Sequence, residues 1–224
     1  MKNSETTYEA KFAYDVQEAA SYDYSRFHKD KKKRKRDAAT QKAVIDALGR
    51  LSDCNKLLDM PCGTGRLHGR LVETGYDYTG CDLSQEMLDV FRQKHPREEN
   101  VRIIRADGEC LPFRSESFDC IVCVRFLPLV PSGARPAILK EFNRVSARYL
   151  LVSASRFGVV SPIIDRLAAL FPWVFPKAIE RREKCRKLSR ELADTGWVEH
   201  FRMPYKSRGV FFSSSKAVAV FKKG

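Results

Sequence analysis

Nowhere in the 224 residues does an apolar run approach the roughly 20 residues a helix needs to cross a bilayer, so no transmembrane segment is expected. The opening residues Met1-Lys2-Asn3-Ser4-Glu5 are polar and lack the apolar stretch of a secretory leader. Histidine is scarce: His28, His68, His95 and His200 are the whole supply, which leaves few side chains that titrate near neutrality. No internal repeat or low-complexity linker is visible. The seven cysteines are an odd number, and several fall inside apparent core strands, so they are expected as reduced thiols of a cytoplasmic protein. Cys120 and Cys123 form a C-x-x-C spacing, but an i, i+3 pair in a strand points to opposite faces. Two packed thiols are therefore expected there, and no metal.

Positive charge, in contrast, is abundant. The 41 Lys and Arg against 28 Asp and Glu leave a formal charge of +13, concentrated in two places. The run Lys29-Asp30-Lys31-Lys32-Lys33-Arg34-Lys35-Arg36 (29–36) is the denser one. The second cluster comprises Arg181, Arg182, Lys184, Arg186, Lys187 and Arg190. Each either attracts a polyanion, such as an anionic membrane surface or RNA, or forms a solvated helix face. Residues 1–50 read as an N-terminal helical segment carrying the basic run, with Ala38, Val44, Ile45, Leu48 and Leu51 as its apolar stripe. Residues 51–224 suit one α/β domain. Within it, 155–180 is an apolar, aromatic and proline-rich stretch that reads as a lid-like insertion or as core packing against the sheet.

The most informative stretch is Leu57 to Gly65, Leu-Leu-Asp-Met-Pro-Cys-Gly-Thr-Gly. A short apolar strand ends in Asp59, a glycine turn follows, and a helical pattern runs from Arg66 to Glu73 before Thr74-Gly75. A strand, a glycine loop and a helix start form a nucleotide-binding corner. Glycines 63, 65 and 69 also satisfy a loose dinucleotide template, but Asp59 at the strand tip would repel a pyrophosphate and suits an ammonium. A second strand, Tyr78 to Cys81, ends in Asp82, placed to accept ribose hydroxyls, and Ser84 is the expected N-cap of the next helix. A third strand, Val101 to Ala106, leads to Asp107-Gly108-Glu109. The fourth, Phe118 to Val124, is continuously apolar after its acidic start, as a strand buried on both faces should be.

Residues 57–66, 78–88, 105–113 and 117–127, with the helix Ala137 to Val145 behind them, resemble the class I S-adenosylmethionine-dependent methyltransferases. Within that superfamily they are most similar to the ubiquinone/menaquinone-biosynthesis group. The resemblance implies a Rossmann-like, doubly wound, seven-stranded and mostly parallel sheet with an antiparallel last strand. It implies S-adenosyl-L-methionine as cofactor. Asp59, Pro61, Gly63 and Gly65 would surround its methionine end, Asp82 and Leu83 its ribose, and Asp107, Gly108 and Glu109 its adenine. Cys123 and Val124 would lie beside the methionine. Two departures stand out: Pro61 replaces a commoner glycine, and Pro128 occupies a position where many relatives carry histidine.

Methyl transfer from a sulfonium is an in-line displacement, so alignment and exclusion of water matter most. A base is needed only if the acceptor keeps its proton. No catalytic base is assigned, and each histidine is expected to be solvated or structural. Arg125 follows the fourth strand and would meet either an anionic acceptor or a nearby carboxylate. Tyr22 and Tyr24 either pack or cap the site, and Arg208 belongs to a connection expected to reach the same rim. Arg66 is expected on the surface. The expected function is methyl transfer to a small, largely apolar or lipid-like acceptor. The alternatives are an RNA methyltransferase using the basic tracts and a non-catalytic cofactor-binding scaffold. The expected location is cytoplasmic, or peripheral at a membrane.

Overall fold

The computed structural model describes residues 16–25, 29–96, 101–154, 170, 186–205 and 216–224. The elements run α1 (Val16–Asp23), α2 (Lys31–Leu48), β1 (Lys56–Asp59), α3 (His68–Glu73), β2 (Asp77–Asp82), α4 (Gln85–Lys94), β3 (Arg102–Arg105), β4 (Phe118–Val124), α5 (Arg135–Val145), β5 (Ser146–Ala154), β6 (Trp197–Tyr205) and β7 (Lys216–Lys223). Residues 186–194 are also helical. The seven strands form one sheet in the order β3-β2-β1-β4-β5-β7-β6. β1 to β5 pair in parallel, and β7 runs antiparallel to both of its neighbours. The expected doubly wound sheet with an antiparallel last strand is therefore present.

Strand periodicity sorts the core into two layers. In β4, Cys120, Val122 and Val124 face one apolar cluster, while Ile121 and Cys123 face the other. Phe118 breaks that parity because the register with β5 shifts between Phe118 and Cys120. Cys120 and Cys123 thus lie on opposite faces of the sheet, as two packed thiols. On one side α5 lays Ile138, Leu139, Phe142 and Val145 over the sheet, joined by Leu188, Leu192 and Trp197. On the other side pack Ala43, Val44, Ala47 and Leu48 of α2, Leu71 of α3, and Leu88 and Phe91 of α4. These α2 positions follow the i, i+1, i+4, i+5 spacing of one buried helix face. Burying such aliphatic side chains contributes roughly 1.5–3 kcal/mol each.

The caps explain the helix starts. Asp30 accepts from the Lys33 N–H at 2.7 Å, and its carboxylate also offsets the cations crowding the positive end of the α2 dipole. Ser84 accepts from the Met87 N–H at 3.2 Å and caps α4 as expected. The first core helix is shorter than its pattern implied: Arg66 and Leu67 belong to a turn, and α3 begins at His68. Ala38 is exposed, so the apolar stripe of α2 begins later than the sequence suggested. The 155–180 stretch, apart from exposed Leu170, lies outside the described residues, as do His28, Arg181, Arg182, Lys184 and Arg208.

The chain moves outward from β1 through β2 to β3, then returns to place β4 on the other side of β1. That reversal opens a crevice beyond the carboxyl ends of β1 and β4, where ligands bind in open α/β sheets.

Candidate cofactor and acceptor site

Asp59 ends β1 at the crevice and is 1% exposed. Its Oδ2 accepts from the Tyr78 hydroxyl at 3.1 Å. Its Oδ1 is buried and has no hydrogen-bond partner among the described residues. Burial pushes its pKa up to about 7, with the Asp82 charge adding to the rise and the Tyr78 hydrogen bond and Arg66 opposing it. A buried acceptor without a donor costs free energy, so this oxygen suits a cationic N–H donor. Tyr78 reaches Asp59 across Gly80: a Cβ on Gly80 would sit 3.0 Å from the Tyr78 hydroxyl and 3.1 Å from Cys62 Sγ. The absence of a side chain at Gly80 leaves room for that hydrogen bond.

The loop after β1 hangs from the tip of β2. Asp82, also buried, accepts from the Gly63 N–H through Oδ2 at 2.8 Å and from the Ser84 N–H through Oδ1 at 3.0 Å. Burial raises its pKa, and the backbone donors of Ser84, Gly63 and Leu83 pull the other way. A carboxylate has about four acceptor positions, so these bonds do not exhaust its capacity to accept. Gly63 and Gly65 adopt φ of +55° and +79°, which glycine reaches without penalty. Gly65 has a second constraint, because a Cβ there would lie 2.7 Å from the Phe91 ring. Pro61 follows a cis peptide bond from Met60.

The third acid stands two residues past β3. Asp107 Oδ1 accepts from the Glu109 N–H at 3.0 Å, which curls the turn, and a Cβ on Gly108 would meet Met60 Cε at 3.2 Å. Leu83, between β2 and α4, offers its carbonyl to Arg105 Nε at 3.1 Å. Cys123 and Val124 close β4 as buried residues, and burial pushes the Cys123 thiol well up, leaving it a packed sulfhydryl. Because β3, β2, β1 and β4 are adjacent and parallel, all these residues share one sheet edge.

On the acceptor side, Arg125 directly follows β4 with φ +62°, a left-handed conformation uncommon for a side-chain-bearing residue. Its N–H donates to the Ser153 carbonyl at 3.4 Å. Tyr22 is half-buried on α1, and Tyr24 is exposed. Asp23 ties α1 down: it accepts from the Thr64 hydroxyl at 2.7 Å and pairs with Lys94 of α4. Arg66 is not the surface residue that its place beside the loop suggested. Its side chain is 13% exposed and pairs with Asp37, itself buried and held by Gln41 Nε2 at 2.8 Å. Little along the chain marks this pair, save that Asp37 is the acid that closes the basic run. His68 is structural, fully buried against the rings of Tyr78, Phe91 and His95 at centroid distances of 4.8, 5.1 and 4.5 Å. Among the described residues no cluster of three His, Cys, Asp or Glu is arranged for a metal, and no helix is long and apolar enough to cross a membrane.

A seven-stranded α/β sheet with β7 antiparallel, a glycine loop after β1 and acids at three neighbouring strand tips is the arrangement of the class I S-adenosylmethionine-dependent methyltransferase fold. Residues 57–148 of the chain match the family described as "Methyltransferase domain". A demethylmenaquinone methyltransferase of Staphylococcus aureus is 35% identical over 127 residues, covering 54% of this chain and 52% of that protein. The chain thus spans about half the length of the curated relatives it matches. The fold is also that of magnesium protoporphyrin IX methyltransferase from Synechocystis with bound S-adenosylmethionine, at TM-score 0.63 and 16% identity over 98% of this chain and 99% of that one. An N-methyltransferase of Bradyrhizobium japonicum in complex with S-adenosyl-L-homocysteine gives TM-score 0.63 and 14% identity over 92% and 95%.

Proposed function

We propose that the chain transfers a methyl group from S-adenosylmethionine to a small, largely apolar, quinone-like or lipid-like acceptor. One observation carries the cofactor assignment: Asp59 Oδ1 is buried at the topological switch point without a hydrogen-bond donor among the described residues. The cofactor, when bound, supplies an electrophilic methyl carbon on a sulfonium. In this reading Asp59 accepts from the methionine ammonium, and Asp82 accepts from the ribose hydroxyls while keeping its grip on Gly63 and Ser84. Asp107 and the Gly108 backbone face the adenine, with Pro61, Leu83 and Glu109 completing the walls and Cys123 and Val124 flanking the methionine. Gly63 and Gly65 let the loop backbone approach the ligand. Arg125 and Tyr22 stand where the acceptor enters, and the alignment they impose is the main source of rate. Pro128 offers no proton acceptor, so an acceptor that ionises without enzymatic help fits this site.

The name of the Staphylococcus aureus relative supports a quinone-like acceptor. Calorimetry with S-adenosyl-L-homocysteine tests the cofactor half. Asp82→Ala should weaken binding by about 1–3 kcal/mol, because a charged acceptor is lost; unchanged affinity would refute the ribose assignment. Formation of S-adenosyl-L-homocysteine with extracted lipids but not with RNA would support the acceptor class, and the reverse would overturn it.

A further inference from the structure

Asp59 and Tyr78 share one face of the sheet. In the parallel pairing of β1 with β2, Leu57 stands opposite Tyr78 and Asp59 opposite Gly80. Side chains two residues apart along a strand point the same way, so these four positions form one patch. Gly80 adds no side chain to it, and the Tyr78 phenol lies along the gap. A Cβ on Gly80 would stand 3.0 Å from the Tyr78 hydroxyl and 3.2 Å from its Cε1. A phenol is long enough to pass two residues of strand, roughly 7 Å, and still present its hydroxyl at the strand tip. It donates there to Asp59 Oδ2 at 3.1 Å, in a bond buried at both ends. Leucine or phenylalanine would fill the same space without a donor, and a serine hydroxyl would stop short.

The ring is held as firmly as the hydroxyl. His68 meets it edge-on at a centroid distance of 4.8 Å, and the Phe91 ring lies at 6.4 Å. Burial, and then the Asp59 charge, push the Tyr78 phenol well above its usual range, so it remains a donor wherever a carboxyl titrates. Several other ionisable groups act on Asp59 or feel its charge. Arg66 favours the carboxylate and Asp82 opposes it, while burial pushes up the thiols of Cys62, Cys81 and Cys123 and leaves them neutral. Among the described residues Tyr78 is the side chain that hydrogen-bonds this carboxyl, and a hydrogen bond to the charged form favours that form. It also settles which oxygen is left: Oδ1, buried and without a partner among the described residues.

We propose that Tyr78 is a positioning residue for the cofactor: its hydroxyl holds Asp59 Oδ2, so that the carboxylate presents Oδ1 to the methionine ammonium. The identity of that cation rests on the methyltransferase reading above. Tyr78 acts only through Asp59, keeping it ionised and fixed in orientation, and one buried hydroxyl thereby sets the pH below which the corner releases its ligand. Gly80 is the second half of the device, because any side chain there would crowd the phenol out of reach.

The test compares the wild-type chain with Tyr78→Phe, which removes one oxygen and keeps the ring. In the ligand-free chain with isotope-labelled aspartate, a carboxyl NMR titration follows Asp59, whose signal is the one missing from Asp59→Asn. Its midpoint should lie at higher pH in Tyr78→Phe than in the wild type. Calorimetry with S-adenosyl-L-homocysteine should give an affinity within about twofold of wild type at pH 8.5 and lower by about tenfold at pH 6, because the variant ionises later. A merely structural tyrosine would lower the affinity equally at both. An unmoved midpoint, or an equal loss at the two pH values, overturns the assignment. Should Tyr78→Phe not fold, Gly80→Ala, which displaces the hydroxyl from Oδ2, decides the matter by the same two readouts. Failure of the wild-type chain to bind S-adenosyl-L-homocysteine refutes the cofactor reading instead, while the carboxyl titration still judges the hold of Tyr78 on Asp59.

Discussion

If Asp59 holds the ammonium of the cofactor, binding must expel a proton at mildly acidic pH. Without ligand its carboxyl ionises at about 7, because burial outweighs the help from Tyr78 and Arg66. An ammonium against Oδ1 requires the ionised form, and it stays protonated well above neutrality. Affinity should therefore be flat above pH 8 and fall toward a slope of one decade per pH unit below 7, a loss of about tenfold between pH 8 and pH 6. Calorimetry with S-adenosyl-L-homocysteine at pH 6, in buffers of different ionisation enthalpy, should report close to one proton released. Asp59→Asn should bind weakly and without that pH dependence. Stability gives a second readout. A free aspartate ionises near 3.9, so between about pH 4 and 7 the folded chain holds a proton that the unfolded chain has lost. The folded state is thus favoured by Asp59 below pH 4, and that contribution is lost as pH rises to 7, on the order of 4 kcal/mol in all. A pH-independent affinity with no proton release would refute the Asp59–ammonium contact.

Two further outcomes follow from the geometry. Gly65→Ala places a Cβ 2.7 Å from the Phe91 ring at φ +79° and should cost about 2–3 kcal/mol, read as a lowered melting temperature; an unchanged melt would mean that α4 does not press on the loop. Replacing exposed Lys31, Lys32, Arg34 and Lys35 by Gln should leave S-adenosyl-L-homocysteine affinity intact while lowering retention on anionic vesicles or RNA, with unaltered retention on both removing any polyanion role for 29–36.

What the sequence made legible was local. β4 could be read to its ends because seven consecutive residues from Phe118 are mostly apolar and bounded by polar turns. The acids at 59, 82 and 107 were legible because each stands at or just past the end of a short strand, and parallel order carried them to one edge. Ser84 announced the start of α4 by its type and position. Partnerships across long stretches of chain left no such mark. Tyr78 bonding Asp59, Asp37 pairing with Arg66, and Thr40 meeting Tyr205 depend on where the layers meet, and no window of neighbouring residues encodes that. The beginning of α3 was misplaced for a related reason: the apolar spacing from Arg66 fits a helix, but Gly65 and its φ of +79° keep the next two residues in a turn.

Asp23 bonds Thr64 with one oxygen and Lys94 with the other. These two contacts, one to the glycine loop and one to α4, therefore pass through a single side chain. A fragment beginning after Asp23 would strand the Thr64 hydroxyl beside the glycine loop and the Lys94 ammonium on α4 at one stroke. The first helix thus joins the glycine loop to α4 through one carboxylate.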